Sequence, residues 1–301
     1  MNKINKLLKK VNLAKVALIS FAITSSATTI AQNFEPDLTE VTLRLKWIHQ
    51  AQFAGFYAAQ ELGLYKKAGL KVNILPGGVD FPSVQMIASG NEEFGITGAD
   101  QILIAREKGI KVQALGAIYR TSPFALFTLE DSNIKTLEDL KGKLTGVKLG
   151  GNEELTYRAM LHAAGIEKGE IREMPVKYDL SPLLEGVVQA WPGYVINEVI
   201  SAKEQGYNVN VITPKQYGIN FYADTLFAKS EYIKSNPEIV KAFVHASFDG
   251  WKYAIQHPEQ AAEFGLKYSS KLNLDHEIAM MKASIPLLNP NIKPLGKMDE
   301  I

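Results

Sequence analysis

From residue 41 to about residue 225 the chain alternates short strand-like runs with helical runs, joined by connections of a few residues. No other feature restricts the fold as much. Strands separated by helices pair in parallel, and the crossing helices then cover the faces of the sheet. VTLRLKW alternates apolar and polar positions as a strand does. QFAGFYAAQELGLYKKAG then predicts one continuous helix, with Gly55, Ala59 and Leu62 on a single face, small enough to sit close to a sheet, and Gly69 placed to end it. LKVNILPGG is the next strand. DFPSVQMIASG is a short helix with Asp80 as its N-cap, EFGITGA a third strand, DQILIAREKG a helix and VQALGAIYR a fourth strand.

A second set follows. TLEDLKG is a short helix with Thr136 and Asp139 in capping-box spacing, and KLTGVKLGG is a strand running into a glycine pair. NEELTYRAMLHAAG, SPLLEGV and VINEVISAKEQG read as helices, and EIREMPV, VVQAWPGY and NVNVITP as strands. After about residue 225 the sequence is largely helical. Two such groups imply an α/β protein of two lobes, with the helical run packed back on the first. The expected division is 41–122 plus 225–301 for one lobe and 123–224 for the other. The chain then crosses between them twice, at 119–127 and 217–226. Two crossings make a hinge, and a cleft between lobes is where a ligand is expected.

The first 31 residues differ from the rest. Five lysines (3, 6, 9, 10 and 15) precede an apolar run from Val16 to Ile23, and Thr29-Ile30-Ala31 resembles a cleavage site. This pattern predicts a signal peptide cut near Ala31; its apolar run falls short of the roughly 20 residues of a spanning helix. Removing five lysines from a chain of net charge +1 leaves −4, a balance without the basic footprint of a nucleic-acid binder. There is no cysteine, so disulfides, thiolate metal sites and a cysteine nucleophile are excluded. The five histidines are scattered, and no P-loop, GxGxxG or GxSxG occurs; no metal or cofactor is expected. The expected product is an exported, periplasmic monomer.

Candidate ligand contacts gather where strands end. Trp47, at the end of the first strand, is either a stacking plate or a core residue beneath the first helix; Gln50 and Gln52 beside it offer amides. Thr97, Asp100 and Gln101 end the third strand. Gly150, Gly151 and Asn152 end a strand and open a helix, a place where backbone N–H groups meet anions. Glu153 and Glu154 follow at once and would repel a phosphate unless they point outward. In WPGYVINE, Pro192-Gly193 is read as breaking the strand, which puts Tyr194 and Glu198 four apart on the next helix beside Trp191. Tyr119, Tyr222 and Asp224 lie in the crossings.

LKWIHQAQFAGFYAAQELGLYKKAGLKVNILPGG, SGNEEFGITGAD, TLEDLKGKLTGVKLGGNEE, QAWPGYVINE and YGINFYADTLFA, in that order, resemble the thiamine-pyrimidine-synthase-like family of periplasmic binding proteins, related to alkanesulfonate- and taurine-type receptors of ABC importers. The resemblance spans nearly all the chain after the signal segment. It implies a type II periplasmic-binding fold closing on a small heterocycle, such as a thiamine pyrimidine precursor or a riboflavin-like molecule, and an ABC permease as partner. By the same resemblance Glu198 would accept from a ring amine while an aromatic stacks. Some relatives are ligand-sensing domains of kinases or diguanylate cyclases, and HQAQFAGFYAA is close to their spelling. Others are synthases that carry a lysine for pyridoxal phosphate and a histidine four residues later. Here Thr97 and Gln101 stand at those positions, and neither supports that chemistry. The chain ends at LGKMDEI, where relatives continue into a further helix, so a truncated form and a natural end are both open.

Overall fold

The computed structural model describes residues 37–78, 80–177, 179–288, 291 and 293–298. The expected signal segment lies outside them. Residues 38–301 form one compact unit.

The first strand, β1 (Thr39–Arg44), leads into α1 (Ala54–Glu61) and α2 (Leu64–Lys67). The continuous helix expected over residues 52–69 is therefore divided. A 3-10 turn at Ala51–Phe53 precedes α1, and Gly63, at φ 67°, separates α1 from α2. Next come β2 (Leu70–Leu75), α3 (Ser83–Ser89), β3 (Phe94–Thr97), α4 (Ala99–Glu107) and β4 (Val112–Tyr119). Asp80 does not cap α3. Pro82 holds the cap position, and the Ser83 hydroxyl donates to the Ile96 carbonyl at 2.7 Å, tying the helix start to β3.

The chain continues through β5 (Phe124–Leu129), β6 (Leu144–Val147), α5 (Gly151–Ala163), β7 (Arg172–Pro175), α6 (Ser181–Leu184), β8 (Trp191–Tyr194), α7 (Glu198–Glu204) and β9 (Val209–Ile212). The segment expected as a short helix after Thr136 forms only a 3-10 turn, Glu138–Leu140. Its capping exchange is present: Asp139 accepts from the Thr136 N–H at 3.0 Å, and its own N–H reaches the Thr136 hydroxyl. After β9 come β10 (Asp224–Lys229), α8 (Ser230–Ser235), α9 (Pro237–Gln256), α10 (Pro258–Gly265) and α11 (Leu274–Leu288).

One sheet has the order β2-β1-β3-β10-β4, a second β8-β5-β9, and β6 pairs with β7. Pairing is parallel for β1 with β2 and β3, and for β6 with β7. The all-parallel expectation fails at the crossing strands. β10 runs antiparallel to β3 and β4, and β5 antiparallel to β8 and β9. Each of these two strands enters from the opposite sheet without a helical crossover to reverse its direction. The β6–β7 pair joins the β8 side through Gln189 N–H to Leu144 O at 2.7 Å and Gly146 N–H to Ala190 O at 2.9 Å.

The expected close packing of Gly55 on a sheet is instead packing on a helix. A Cβ on Gly250 of α9 would lie 2.2 Å from the Gly55 carbonyl, and one on Gly55 would lie 2.2 Å from the Trp251 ring. This glycine pair lets α9 lie against α1. Phe94, Phe243 and Tyr65 stack in succession with ring centroids 3.9 and 5.3 Å apart, and Phe56 meets Trp251 edge-on. Burying large side chains of this kind stabilises by about 1.5–3 kcal/mol each.

Candidate functional site

The C-terminal ends of β1, β6 and β8 and the start of β10 converge. Lys46 lies two residues past the end of β1, at the strand exit. Its Nζ donates to the Tyr194 hydroxyl at 2.7 Å, to Asp224 Oδ1 at 3.1 Å and to the Ala223 carbonyl at 3.0 Å. Asp224, only 1 % exposed, also accepts from Gln52 Nε2 at 2.7 Å, and Gln50 donates to Gln52. Residues from the end of β1, the turn before α1, β8 and β10 thus share one buried polar chain. Burial works against charge on Lys46. The facing Tyr194 and Asp224 outweigh it and hold the ammonium well above the ordinary lysine range. Burial pushes the Tyr194 phenol up, so it stays neutral and accepts from Lys46.

A second cation, Lys148, stands where β6 ends. It lies 2.9 Å from Glu198 Oε1 and 3.3 Å from Glu153 Oε2. Burial disfavours its charge, but Glu153 and Glu198 together raise its pKa. Glu153 shifts the other way from a simple ion pair. Burial raises it, Lys148 offsets this only in part, and Glu198 adds repulsion. Lys148 is shared by the two carboxylates and lies nearer to Glu198. No aligned hydrogen bond reaches Glu153 Oε2, nor does any reach Asn152 Oδ1. The two groups are one electrostatic set, since Glu153 acts on Tyr194 and is acted on by Lys46.

Two further ties join the regions carrying the two sheets. Asn152 Nδ2 donates to Asp100 Oδ1 at 2.8 Å, linking α5 to α4. His276 of α11 is 2.9 Å from Glu204 and 3.0 Å from Asn197, at the two ends of α7. An open groove beside His276, lined by Ser201, Glu204, Lys271 and Asn273, lies on this second tie and not on the polar set.

The residues expected from sequence are distributed as follows. Gln52, Tyr194, Glu198 and Asp224 belong to the polar set, and Asn152 lies at its edge. Trp47 is half-buried against the main core, with its carbonyl accepting from Gly77 N–H at 2.8 Å. Tyr222 is half-buried, and its carbonyl accepts from the first N–H of α4, Ala99. Gly150 and Gly151 adopt φ of 84° and 75° at the start of α5. Tyr119 is fully buried and lies opposite Asp224 on the neighbouring strand β4, its hydroxyl 2.8 Å from Ser284. Trp191, 1 % exposed, packs in an apolar cluster with Phe127, Leu183, Val188 and Val199, and its indole N–H has no hydrogen-bond partner. The Tyr119 hydroxyl also reaches the Gln52 carbonyl at 3.4 Å, so Tyr119 touches the polar set through backbone, whereas Trp191 stands apart from it in its apolar cluster.

Two expectations about WPGY are corrected. Pro192-Gly193 does not break the strand: both lie inside β8, paired with Leu126 and Ala125 on its neighbour β5. Tyr194 and Glu198 are consequently not on one helix. Tyr194 ends the strand, Glu198 begins α7, and they meet because the Tyr194 N–H donates to Glu198 Oε2 at 2.8 Å. Gly193 makes this possible, since a Cβ there would lie 2.8 Å from the Glu198 carboxyl carbon. Sequence reasoning missed Lys46 and Lys148. Both occupy strand ends, beside Trp47 and the glycine pair, and the strand-end rule applied to them as much as to those neighbours.

Two α/β sheet regions linked by two crossings, with a polar set between them, define the periplasmic-binding-protein fold. The periplasmic aliphatic sulphonate binding protein SsuA from Escherichia coli superposes with a TM-score of 0.68 over 82 % of this chain and 84 % of that one, at 18 % identity. A family model described as NMT1/THI5 like matches residues 50–261, and the chain belongs to that family. Among relatives, the riboflavin-binding protein RibY of Chloroflexus aurantiacus is 26 % identical over 81 % of this chain and 70 % of its own length. The formylaminopyrimidine-binding protein of Halalkalibacterium halodurans is 24 % identical over 94 % and 88 %. A Legionella pneumophila relative named 4-amino-5-hydroxymethyl-2-methylpyrimidine phosphate synthase is 23 % identical over 75 % and 72 %.

Proposed function

We propose that the chain is the solute-binding receptor of an ABC importer, acting in the periplasm as a monomer, and that its ligand is a small nitrogen heterocycle such as a thiamine pyrimidine precursor. The observation that carries this reading is the buried chain Gln52–Asp224–Lys46–Tyr194, which joins groups from both sheets in a family whose relatives include binding proteins for such molecules. Residues 41–122 with 225–301 form one lobe in this reading and 123–224 the other. The ligand enters between them, against Trp47, Gln52, Asn152, Tyr194, Glu198, Tyr222 and Asp224. Tyr119 and Trp191 support these residues from behind. Contacts to both lobes favour the closed state, which the permease then recognises; the ligand's preference for that state sets the shift.

Turnover is not part of the reading. Thr97 is buried where β3 pairs with β10, and Gln101 donates to Asp100 at 2.9 Å. Neither offers an amine or imidazole for covalent chemistry. Among the described residues no helix is long and apolar enough to cross a membrane.

Thermal-shift measurements against 4-amino-5-hydroxymethyl-2-methylpyrimidine, formylaminopyrimidine and riboflavin test the reading. A ligand at a hundred times its Kd stabilises by about 2.7 kcal/mol, a rise of several degrees. If none of the three raises the melting temperature, the heterocycle assignment is lost.

A further inference from the structure

The start of α5 has the features of an anion site. Gly150 and Gly151 are in left-handed conformations, and a 13-residue helix begins there with its N–H groups facing outward. The chain fills that site with its own side chains. The Gly150 N–H donates to Glu154 Oε2 at 2.7 Å, and Arg158, one turn on, holds the other Glu154 oxygen at 3.2 Å. Glu154 therefore turns back over the glycine loop. Glu153 turns the other way, toward Lys148.

No cation of the set is left for an incoming anion. Lys148 is shared by Glu153 and Glu198, and Lys46 is engaged by Asp224 and Tyr194. Four carboxylates (Asp100, Glu153, Glu198 and Asp224) stand against two ammoniums. The acceptor of the set that lacks a partner is Asn152 Oδ1, on a residue 7 % exposed, and Glu153 Oε2 has only its 3.3 Å ion pair with Lys148. Such atoms call for N–H donors on a ligand and repel phosphate or sulfonate oxygens.

We infer that the α5 start is an anion site occupied in cis by Glu154 and guarded by Glu153, so that this cleft admits uncharged heterocycles and excludes ligands bearing a phosphate or sulfonate. The location of the ligand rests on the function proposed above. The exclusion itself can be measured without knowing the ligand.

Inorganic phosphate and methanesulfonate are titrated calorimetrically, at constant ionic strength, into the wild-type chain, Glu154→Ala, and Glu153→Ala/Glu154→Ala. Circular dichroism verifies the fold; Glu154, partly exposed, serves if the double variant does not fold. The wild type is expected to give no saturable heat, and the variants to gain saturable phosphate binding. Saturable binding of either anion to the wild type overturns the inference, as does a folded variant that binds phosphate no better than the wild type. In a parallel arm, riboflavin is compared with its phosphate ester, and the pyrimidine alcohol with its own. The esters are expected to bind at least about 100-fold more weakly, from like-charge repulsion. Equal binding of an ester and its parent also overturns the inference. If neither parent compound binds, the proposed function fails, while the anion titrations still decide this point.

Discussion

Replacing Gly250 by alanine tests how the helical run is anchored to the first sheet region. The added methyl would lie 2.2 Å from the Gly55 carbonyl oxygen and 2.7 Å from both the Ala59 Cβ and its backbone nitrogen. Two of these three atoms are backbone, so no rotamer change relieves the clash. Helix α9 must move off α1 by roughly 1 Å, which strips the Trp251 ring and its neighbours of much of their dispersion contact. Overpacking of this sort costs typically 1–3 kcal/mol, and the backbone clash puts Gly250→Ala at about 3 kcal/mol. Alanine's better helix propensity returns about 1 kcal/mol. A net loss of about 2 kcal/mol lowers the melting temperature by about 4–8 °C for a unit of this size. Differential scanning calorimetry reads it directly. A melting temperature equal to or above that of the wild type would show that α1 and α9 are not in close contact at this pair.

Two further predictions concern buried charge. Arg44 grips Glu92 through Nε, at 2.9 Å, and Nη2, and donates to the Pro76 carbonyl at 2.6 Å; both side chains are more than nine-tenths buried. Glu92→Gln leaves the guanidinium uncompensated and is expected to cost about 3 kcal/mol, read as a lower urea midpoint with an unchanged slope. Glu277 is buried and accepts from the Ala51 N–H; burial raises its pKa above 4.5, against the opposing effects of that hydrogen bond and of His276. A carboxyl raised in the folded state contributes stability that is complete below pH 4.5 and is lost as the pH rises through its folded value. Glutamine keeps an acceptor for Ala51 without that loss. The melting temperature of Glu277→Gln relative to wild type should therefore rise between pH 4 and pH 7, and a constant difference would contradict the assignment.

Much of the architecture was legible because it rests on periodicity. Strand–helix alternation predicted the two sheet regions, and the late helical run was legible as helices. The failures came from contacts distant in sequence. Nothing in QFAGFYAAQELGLYKKAG announces that Gly63 will adopt φ 67° and divide the helix, since glycine within a helix is common enough to read through. Pro192 inside β8 is tolerated because that strand lies at the edge of its sheet, a position only the topology reveals. In the candidate site, aromatic and glycine residues drew attention, whereas nothing in the local sequence marks Lys46 and Lys148 as buried. Their burial depends on Asp224, 178 residues away from Lys46, and on Glu198, 50 residues away from Lys148. The outward or inward course of Glu153 and Glu154 was open in the sequence, and the hydrogen bond from Gly150 decides it for Glu154.

Calorimetric titration of the pyrimidine alcohol and of riboflavin into the wild-type chain and Glu198→Ala bears most directly on the receptor reading. One-to-one binding of at least one compound by the wild type, weakened about tenfold or more in a folded Glu198→Ala, is the expected result. Absence of heat with both compounds, or affinity unchanged by the substitution, would contradict a ligand held between Tyr194, Glu198 and Asp224.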